Sequence, residues 1–322
     1  MKAPLSTTSG VDAVALAEDV RRGLALDPPR LDPKYFYDAL GSVLFEAICH
    51  LPWYPITRAE MVMLRAHAAE ILGAGGDPVH IVELGCGSGE KLLALLEPCR
   101  RQVASVHLVD ISIDALEATR RRLALAGFDR ATAHRGAFED ALQALARRAG
   151  GATPLLVLFL GSNIGNMSPG EARGFLGRVR AALCPGDRLL LGVDLVKPPE
   201  VLVSAYDDPL GVTAAFNLNI LHRLNRDLGA DFDLAGFRHR AVWDTAAARV
   251  EMHLVSLRAQ QVEIPLLSVR RSFAPGQYIW TESSYKYEPE GVRDLLVGAG
   301  FRSERQWIDS KARFALAMAS RD

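Results

Sequence analysis

The segment Glu83-Leu84-Gly85-Cys86-Gly87-Ser88-Gly89-Glu90 closes an apolar run with a carboxylate and then places glycines at alternate positions. Glycine takes positive φ freely and lets a ligand approach the main chain. A strand, a glycine turn and a helix in succession make a nucleotide cradle. G-x-G-x-G, with Glu83 two residues ahead of Gly85, fits S-adenosylmethionine (SAM) better than NAD. The dinucleotide fingerprint is G-x-G-x-x-G, and its third glycine would fall on Glu90. Another nucleotide, or a plain structural turn, is the alternative.

Two more groups stand where such a site would need them. Asp110 ends the next apolar run, where a carboxylate can accept both ribose hydroxyls; the alternative is a helix cap before Ser112. Leu160-Gly161-Ser162-Asn163-Ile164-Gly165-Asn166 leaves a third apolar run with two glycines and two asparagines. An Asn amide offers two donors and one acceptor, suited to holding a carboxylate, although Asn and Gly also simply make turns. Glu282 follows an aromatic, β-prone stretch; buried there it would need a partner, and otherwise it faces solvent.

These residues need a scaffold, and the hydrophobic pattern supplies one. Apolar runs at 80–84, 104–109, 155–160 and 187–193 alternate with helical patterns at 91–96, 114–126 and 169–183, the last opening after Ser168. Continuous apolar strands alternating with helices predict a parallel sheet covered on both faces. Residues 200–230 read as helical and 242–286 as β-rich. A helix near 289–298 then precedes two strands at about 302–308 and 313–318, an antiparallel hairpin of the kind that closes a methyltransferase-type sheet. The expected fold is α/β: a Rossmann-like class I methyltransferase sheet formed by 61–196 and 287–322. A second, substrate-binding lobe is expected from 1–60 with 197–286.

Composition narrows the class. The chain has 322 residues, 49% of them hydrophobic, and a formal net charge of -1. A substantial core is affordable, and no basic excess marks a nucleic-acid surface. No apolar stretch approaches a membrane span, and the N-terminal residues lack a signal-peptide layout. Cys49, Cys86, Cys99 and Cys184 form no C-x-x-C pair and the eight histidines show no ligand spacing, so reduced thiols and no metal are expected. Cys86 reads as a small filler within the glycine turn. The expectation is a cytoplasmic, monomeric enzyme with no nucleic-acid or membrane partner.

The dispersed signatures are more specific than the glycine turn. Lys34-Tyr35-Phe36-Tyr37-Asp38-Ala39-Leu40-Gly41-Ser42, Leu51-Pro52-Trp53-Tyr54 and Thr57-Arg58-Ala59-Glu60 are three of them. Phe159 to Asn166, Asp194-Leu195-Val196-Lys197, Ala205-Tyr206-Asp207-Asp208, Gly211 to Asn217 and Thr281-Glu282-Ser283-Ser284 complete the set. Across nearly its whole length the chain resembles the SAM-dependent histidine Nα-methyltransferases of ergothioneine biosynthesis. That resemblance implies that Asn166 and Tyr206 hold the substrate carboxylate, while Glu282 and Ser284 read the imidazole. It implies that Tyr37, Phe45 and Tyr54 shape the pocket beside Gly161, with Met252 in its wall. For the cofactor it implies Gly85, Lys91 and Asp110, to which the glycine turn adds Glu83, Gly87 and Gly89. Near adenine the family has an Asp-Phe pair where this chain has Ala137-Phe138, which removes a carboxylate. Tyr54-Pro55-Ile56-Thr57 likewise departs from the family's Tyr-Tyr-Pro-Thr.

The implied reaction moves three methyl groups from SAM to the α-amine of L-histidine, through the mono- and dimethylated intermediates, to Nα,Nα,Nα-trimethylhistidine (hercynine). No dedicated base is expected, with Tyr37 or Tyr54 assisting proton loss. The alternatives are an N-methyltransferase for another amino acid and a non-catalytic SAM-binding regulator.

Overall fold

The computed structural model describes residues 13–73, 76–136, 138, 142 and 153–322. Helices α1 (Ala13–Leu24), α2 (Ala39–His50) and α3 (Ile56–Leu72) lead into strand β1 (Val79–Leu84), helix α4 (Glu90–Leu96), strand β2 (Val103–Asp110) and helix α5 (Ile113–Leu125). Strands β3 (Ala131–Arg135) and β4 (Leu155–Phe159) follow, then helix α6 (Pro169–Ala182) and strand β5 (Arg188–Asp194). Helices α7 (Pro199–Tyr206) and α8 (Val212–Leu228) precede five strands, β6 (Phe237–Asp244), β7 (Arg249–Ser256), β8 (Gln260–Ile264), β9 (Val269–Phe273) and β10 (Tyr278–Tyr285). Helix α9 (Pro289–Gly298) and the hairpin β11 (Arg302–Asp309) and β12 (Phe314–Ser320) complete the described elements. The chain divides into two compact units, one of residues through Tyr54 with Pro198–Ser284, the other of Pro55–Lys197 with Tyr285–Asp322.

The second unit is built on a seven-stranded sheet in the order β11-β12-β5-β4-β1-β2-β3. Strands β3, β2, β1, β4 and β5 run parallel, and β12 is antiparallel to both β5 and β11. This is the expected class I methyltransferase sheet, and the strand order reverses beside β1, where the chain next enters β4 on its other side. Every residue of β4 and β12 is buried, as continuous apolar strands in a doubly covered sheet must be. Helix α6 starts with a capping box: Ser168 accepts from the Glu171 amide, and the Glu171 carboxylate accepts from the Ser168 amide. Helix α3 belongs to this unit as well, burying Ile56, Ala59, Glu60, Met63, Leu64, Ala68, Ile71 and Leu72.

The first unit holds α1, α2, α7, α8 and two small sheets, β10-β7-β6 and β8-β9. The helical pattern across 200–230 is in fact two helices. Pro209 lies in the break, and the Asp208 carboxylate accepts from the amides of Leu210, Val212 and Thr213 to start α8. Asp38 does the same for α2, accepting from the Gly41 amide at 2.8 Å. Its carboxylate also accepts from Asn219 and Arg226 of α8, so the Tyr37-Asp38 signature is anchored between two helices.

The exit of the chain from the sheet unit and its return are held by one buried carboxylate. Asp194, 1% exposed at the end of β5, accepts from Lys197 Nζ at 2.6 Å and pairs with Lys286 Nζ at 2.9 Å. Lys197 also donates to the Ala312 carbonyl. Backbone bonds join the same segments, Val196 N–H to Tyr287 O and Tyr287 N–H to Asp194 O. Burial pulls the Lys197 pKa down against the pull of Asp194. Breaking a buried ion pair on one side costs about 3–5 kcal/mol because an uncompensated charge is left behind. Asp194→Asn is expected to lower unfolding stability by at least about that much, read as a shifted denaturant midpoint; an unchanged midpoint would refute the role given to Asp194.

Candidate active site

The glycine turn between β1 and α4 is built for close approach. Gly85, Gly87 and Gly89 have φ of 78°, 50° and 76°, a region that carries strain for any side chain. A Cβ on Gly85 would lie 3.5 Å from Asn163 Nδ2 and 3.7 Å from the Phe138 ring. Thus the loop after β4 and the Phe138 ring both border the turn. Phe138 is held by edge contacts to Phe159 and Phe175 of the core. Ala137 lies outside the described residues.

Three carboxyl groups gather around the turn. Asp110 accepts from the Ser112 amide at 2.9 Å, while Ser112 itself caps α5. The helix-cap alternative for Asp110 therefore falls to Ser112. Burial raises the Asp110 pKa, opposed by amide hydrogen bonds from Ser112, Gly87, Ile111 and Cys86. Asp110 is thereby tied to the glycine turn itself. Cys86 is buried with Sγ 3.8 Å from an Asp110 oxygen. Desolvation, then the neighbouring Glu83 and Asp110 carboxyls, push its thiol far up, which leaves it without nucleophilic character.

Glu83 and Glu60 divide the electrostatics. Glu60, fully buried on α3, accepts from the Gly161 amide with both oxygens at 2.9 Å and pairs with Lys91 Nζ at 2.8 Å. Gly192 in β5 makes room, since a Cβ there would sit 1.9 Å from Glu60 Oε1. Lys91 is thus already matched in charge. Glu83 is 2% exposed, and its Oε2 has no hydrogen-bond partner among the described residues. Desolvation raises its pKa well above 4.5; Lys91 lowers it, and the Glu60 and Asp110 carboxyls add to the rise. A cradle of positive-φ glycines, a carboxyl at the end of β2 and an orphaned buried carboxyl suit a ligand with a ribose and a positive charge.

The first unit assembles the aromatic residues. Tyr37 meets Phe45 at 5.5 Å between ring centroids, Phe45 meets Tyr54 at 6.4 Å, and Tyr54 meets Tyr206 at 6.3 Å, each edge to face. Phe216 of α8 packs against both Tyr37 and Phe45. The Tyr206 hydroxyl is 2.8 Å from the Ser284 hydroxyl, and the Tyr206 carbonyl is 2.7 Å from His239 Nε2. Met252 is buried on β7, where its carbonyl accepts from Thr281 of β10. Glu282 is half-buried on β10, and its carbonyl accepts from the Trp280 indole. Gly161 and Asn166 belong to the other unit, Gly161 at φ 77° and Asn166 exposed at the end of a short 3-10 turn, Asn163–Asn166.

Sequence reasoning had not given Glu60 or Phe216 a role. Glu60 carried a signal, a lone acid on the buried face of an otherwise apolar helical pattern, and Gly192 inside a Leu/Val strand was its counterpart. Phe216 stands within the helical pattern over 200–230 and the Gly211–Asn217 signature, neither of which assigns it a chemistry.

The arrangement is that of a SAM-dependent methyltransferase. The family model described as "Histidine-specific methyltransferase, SAM-dependent" matches residues 16–321, and the chain belongs to that family. It is 43% identical over 316 residues to a histidine N-alpha-methyltransferase of Mycolicibacterium smegmatis, covering 96% of each chain. It is 41% identical over 327 residues to the histidine N-alpha-methyltransferase of Mycobacterium tuberculosis, covering 100% of each. It is also 28% identical over 288 residues to the ergothioneine biosynthesis protein 1 of Neurospora crassa, covering 87% of this chain and 32% of that one. Among the described residues, no helix is long and apolar enough to cross a membrane.

The state of Glu83 has a sign that can be tested. Its raised folded-state pKa contributes stability that is fully present below 4.5 and is lost as pH rises through the folded value. Relative to Glu83→Gln, the SAM-free wild type is therefore expected to lose stability steadily as pH rises above 4.5. A stability difference that stays flat with pH in denaturant titrations would show that Glu83 is not desolvated in this way.

Proposed function

We propose that this protein transfers three methyl groups from SAM to the α-amine of L-histidine, giving Nα,Nα,Nα-trimethylhistidine. The observation that carries the reading is the hydrogen bond between Tyr206 and Ser284 beside the Tyr37, Phe45 and Tyr54 rings. Two hydroxyls from separate elements, next to an aromatic wall, suit a small zwitterion with a flat polar ring. The full-length similarity to two histidine N-alpha-methyltransferases supports the same acceptor.

In this reading Gly85, Gly87, Gly89 and Lys91 hold SAM with Glu83, Asp110 takes the ribose, and Phe138 lines the adenine. Asn166 and Tyr206 hold the histidine carboxylate, while Glu282 and Ser284 bond the imidazole. Bound SAM supplies an electrophilic methyl: the amine lone pair forms the C–N bond as the C–S bond breaks, its electrons stay on sulfur, and S-adenosylhomocysteine leaves. The α-amine of a peptide has a pKa of ~7.7–8.0; in free histidine the ionised α-carboxylate raises it, so the amine must lose a proton to solvent before it attacks. The residues then mainly orient the amine, a contribution worth ~7–11 kcal/mol in well-aligned systems. Tyr37 or Tyr54 passes the released proton to solvent before each further transfer. The Tyr37, Phe45 and Tyr54 rings form the smooth wall along which the added methyls are accommodated. The protein works as a monomer, with no nucleic-acid or membrane partner.

Incubating the protein with SAM and each amino acid in turn, and following S-adenosylhomocysteine and product mass, tests this directly. Three added methyls on histidine alone are expected; no turnover with any amino acid, or a preference for a different one, would overturn the reading. A hydrogen bond to a charged group is worth about 1.5–3 kcal/mol. Glu282→Ala is therefore expected to lower kcat/KM for histidine by roughly 10–150-fold, and wild-type efficiency in that variant would remove Glu282 from the site.

A further inference from the structure

We infer that Glu60 is a positioning residue that cancels the charge of Lys91 and thereby lets the cofactor site prefer SAM over S-adenosylhomocysteine. The inference rests on the reading of Lys91 as a cofactor contact and goes beyond it. SAM carries a sulfonium that its product lacks, so SAM has one more positive charge. An ammonium in the same site with no counter-charge would disfavour SAM more than the product. Turnover would then stall on the tighter-binding product.

The geometry removes that penalty. Glu60 is fully buried and has no rotamer freedom to spare: both oxygens are fixed by the Gly161 amide and one by Lys91 Nζ. Its carboxyl fills the space above Gly192, where a Cβ would meet it at 1.9 Å. On the other side, Lys91 Nζ would lie 2.8 Å from a Cβ on Gly161. Two glycines, Gly192 within β5 and Gly161 in the loop after β4, are therefore given up to seat one ion pair. Once paired, Lys91 offers N–H donors with little net charge, and the remaining carboxyls, Glu83 and Asp110, favour the cation.

Calorimetric titration of SAM and of S-adenosylhomocysteine tests the difference. In Glu60→Gln the ratio of the SAM to the product Kd is expected to rise about tenfold, the effect of one unbalanced charge at intermediate dielectric. Glu60→Asp, which keeps the charge, should retain the wild-type ratio even where both constants weaken. Glu60→Gln combined with Lys91→Met removes both charges and should bring the ratio back. An unchanged ratio in Glu60→Gln, with both ligands still bound, overturns the inference and leaves the reading of the site intact. If Lys91→Met alone leaves both constants unchanged, Lys91 is not a cofactor contact, and the reading and the inference fall together.

Discussion

The buried Asp194 carboxylate is the constraint on which the arrangement of this chain depends. The polypeptide leaves the sheet unit after Lys197 and re-enters it at Tyr285, and the lysines on either side of that long excursion both end on Asp194. Two ammoniums on one carboxylate leave the cluster short of negative charge in a medium that screens poorly. The Ala312 carbonyl and the backbone bonds between Asp194, Val196 and Tyr287 supply further acceptors and fix the geometry. An insertion of this size is tolerated because its two ends are pinned side by side where β5 stops. The cost of closing even a long loop grows only slowly with its length.

The same economy of charge runs through the cofactor half. Four ionisable groups, Glu60, Glu83, Lys91 and Asp110, stand at the carboxyl ends of β1 and β2 and the loop after β4. They are not equivalent. Lys91 is paired with Glu60, Asp110 accepts from the Ser112 amide and those of the glycine turn, and Glu83 Oε2 has no hydrogen-bond partner among the described residues. A protein interior tolerates such an orphan when it is neutral, and a cation entering the site gives it a reason to ionise. The glycines matter here twice over, as a low-strain turn in the β1–α4 loop and as vacated volume at Gly161 and Gly192.

Legibility in the sequence followed how strongly each element advertises itself. Strands β1, β4, β5 and β12 are buried on both faces, so their apolar runs stood out, as did helix α6 behind Ser168. Strand β3, Ala131-Thr132-Ala133-His134-Arg135, lies at the sheet edge with most of its side chains exposed, and such a strand needs no apolar run. The β-rich reading from 242 began late because β6 starts at Phe237 with Arg238, His239 and Arg240, a polar stretch that pairs with β7. The continuous helix read over 200–230 missed the break at Asp208-Pro209, since the apolar spacing resumes in register beyond it. On the site side, the glycine turn and Asp110 announced their chemistry locally. Glu282 drew notice on its own as an acid after an aromatic stretch, while the roles read for Tyr37, Tyr54 and Tyr206 come only through resemblance, because aromatic residues scattered over the chain have no periodicity of their own. Glu60 stands in a quoted signature but has no legible role, since its partners, Lys91, Gly161 and Gly192, are distant in sequence.

Strand β12 enters the sheet between β5 and β11, in the interior of the sheet. On a ribosome β5 emerges long before β12 does, with α7, α8, five strands, α9 and β11 still to come. Through that interval the apolar β5 has one flank unpaired, an open template for any other extended chain. Pairings this remote in sequence also form slowly. The nascent protein is therefore most exposed to misassembly in the window between these two strands, and dependence on holdase chaperones during synthesis should concentrate there.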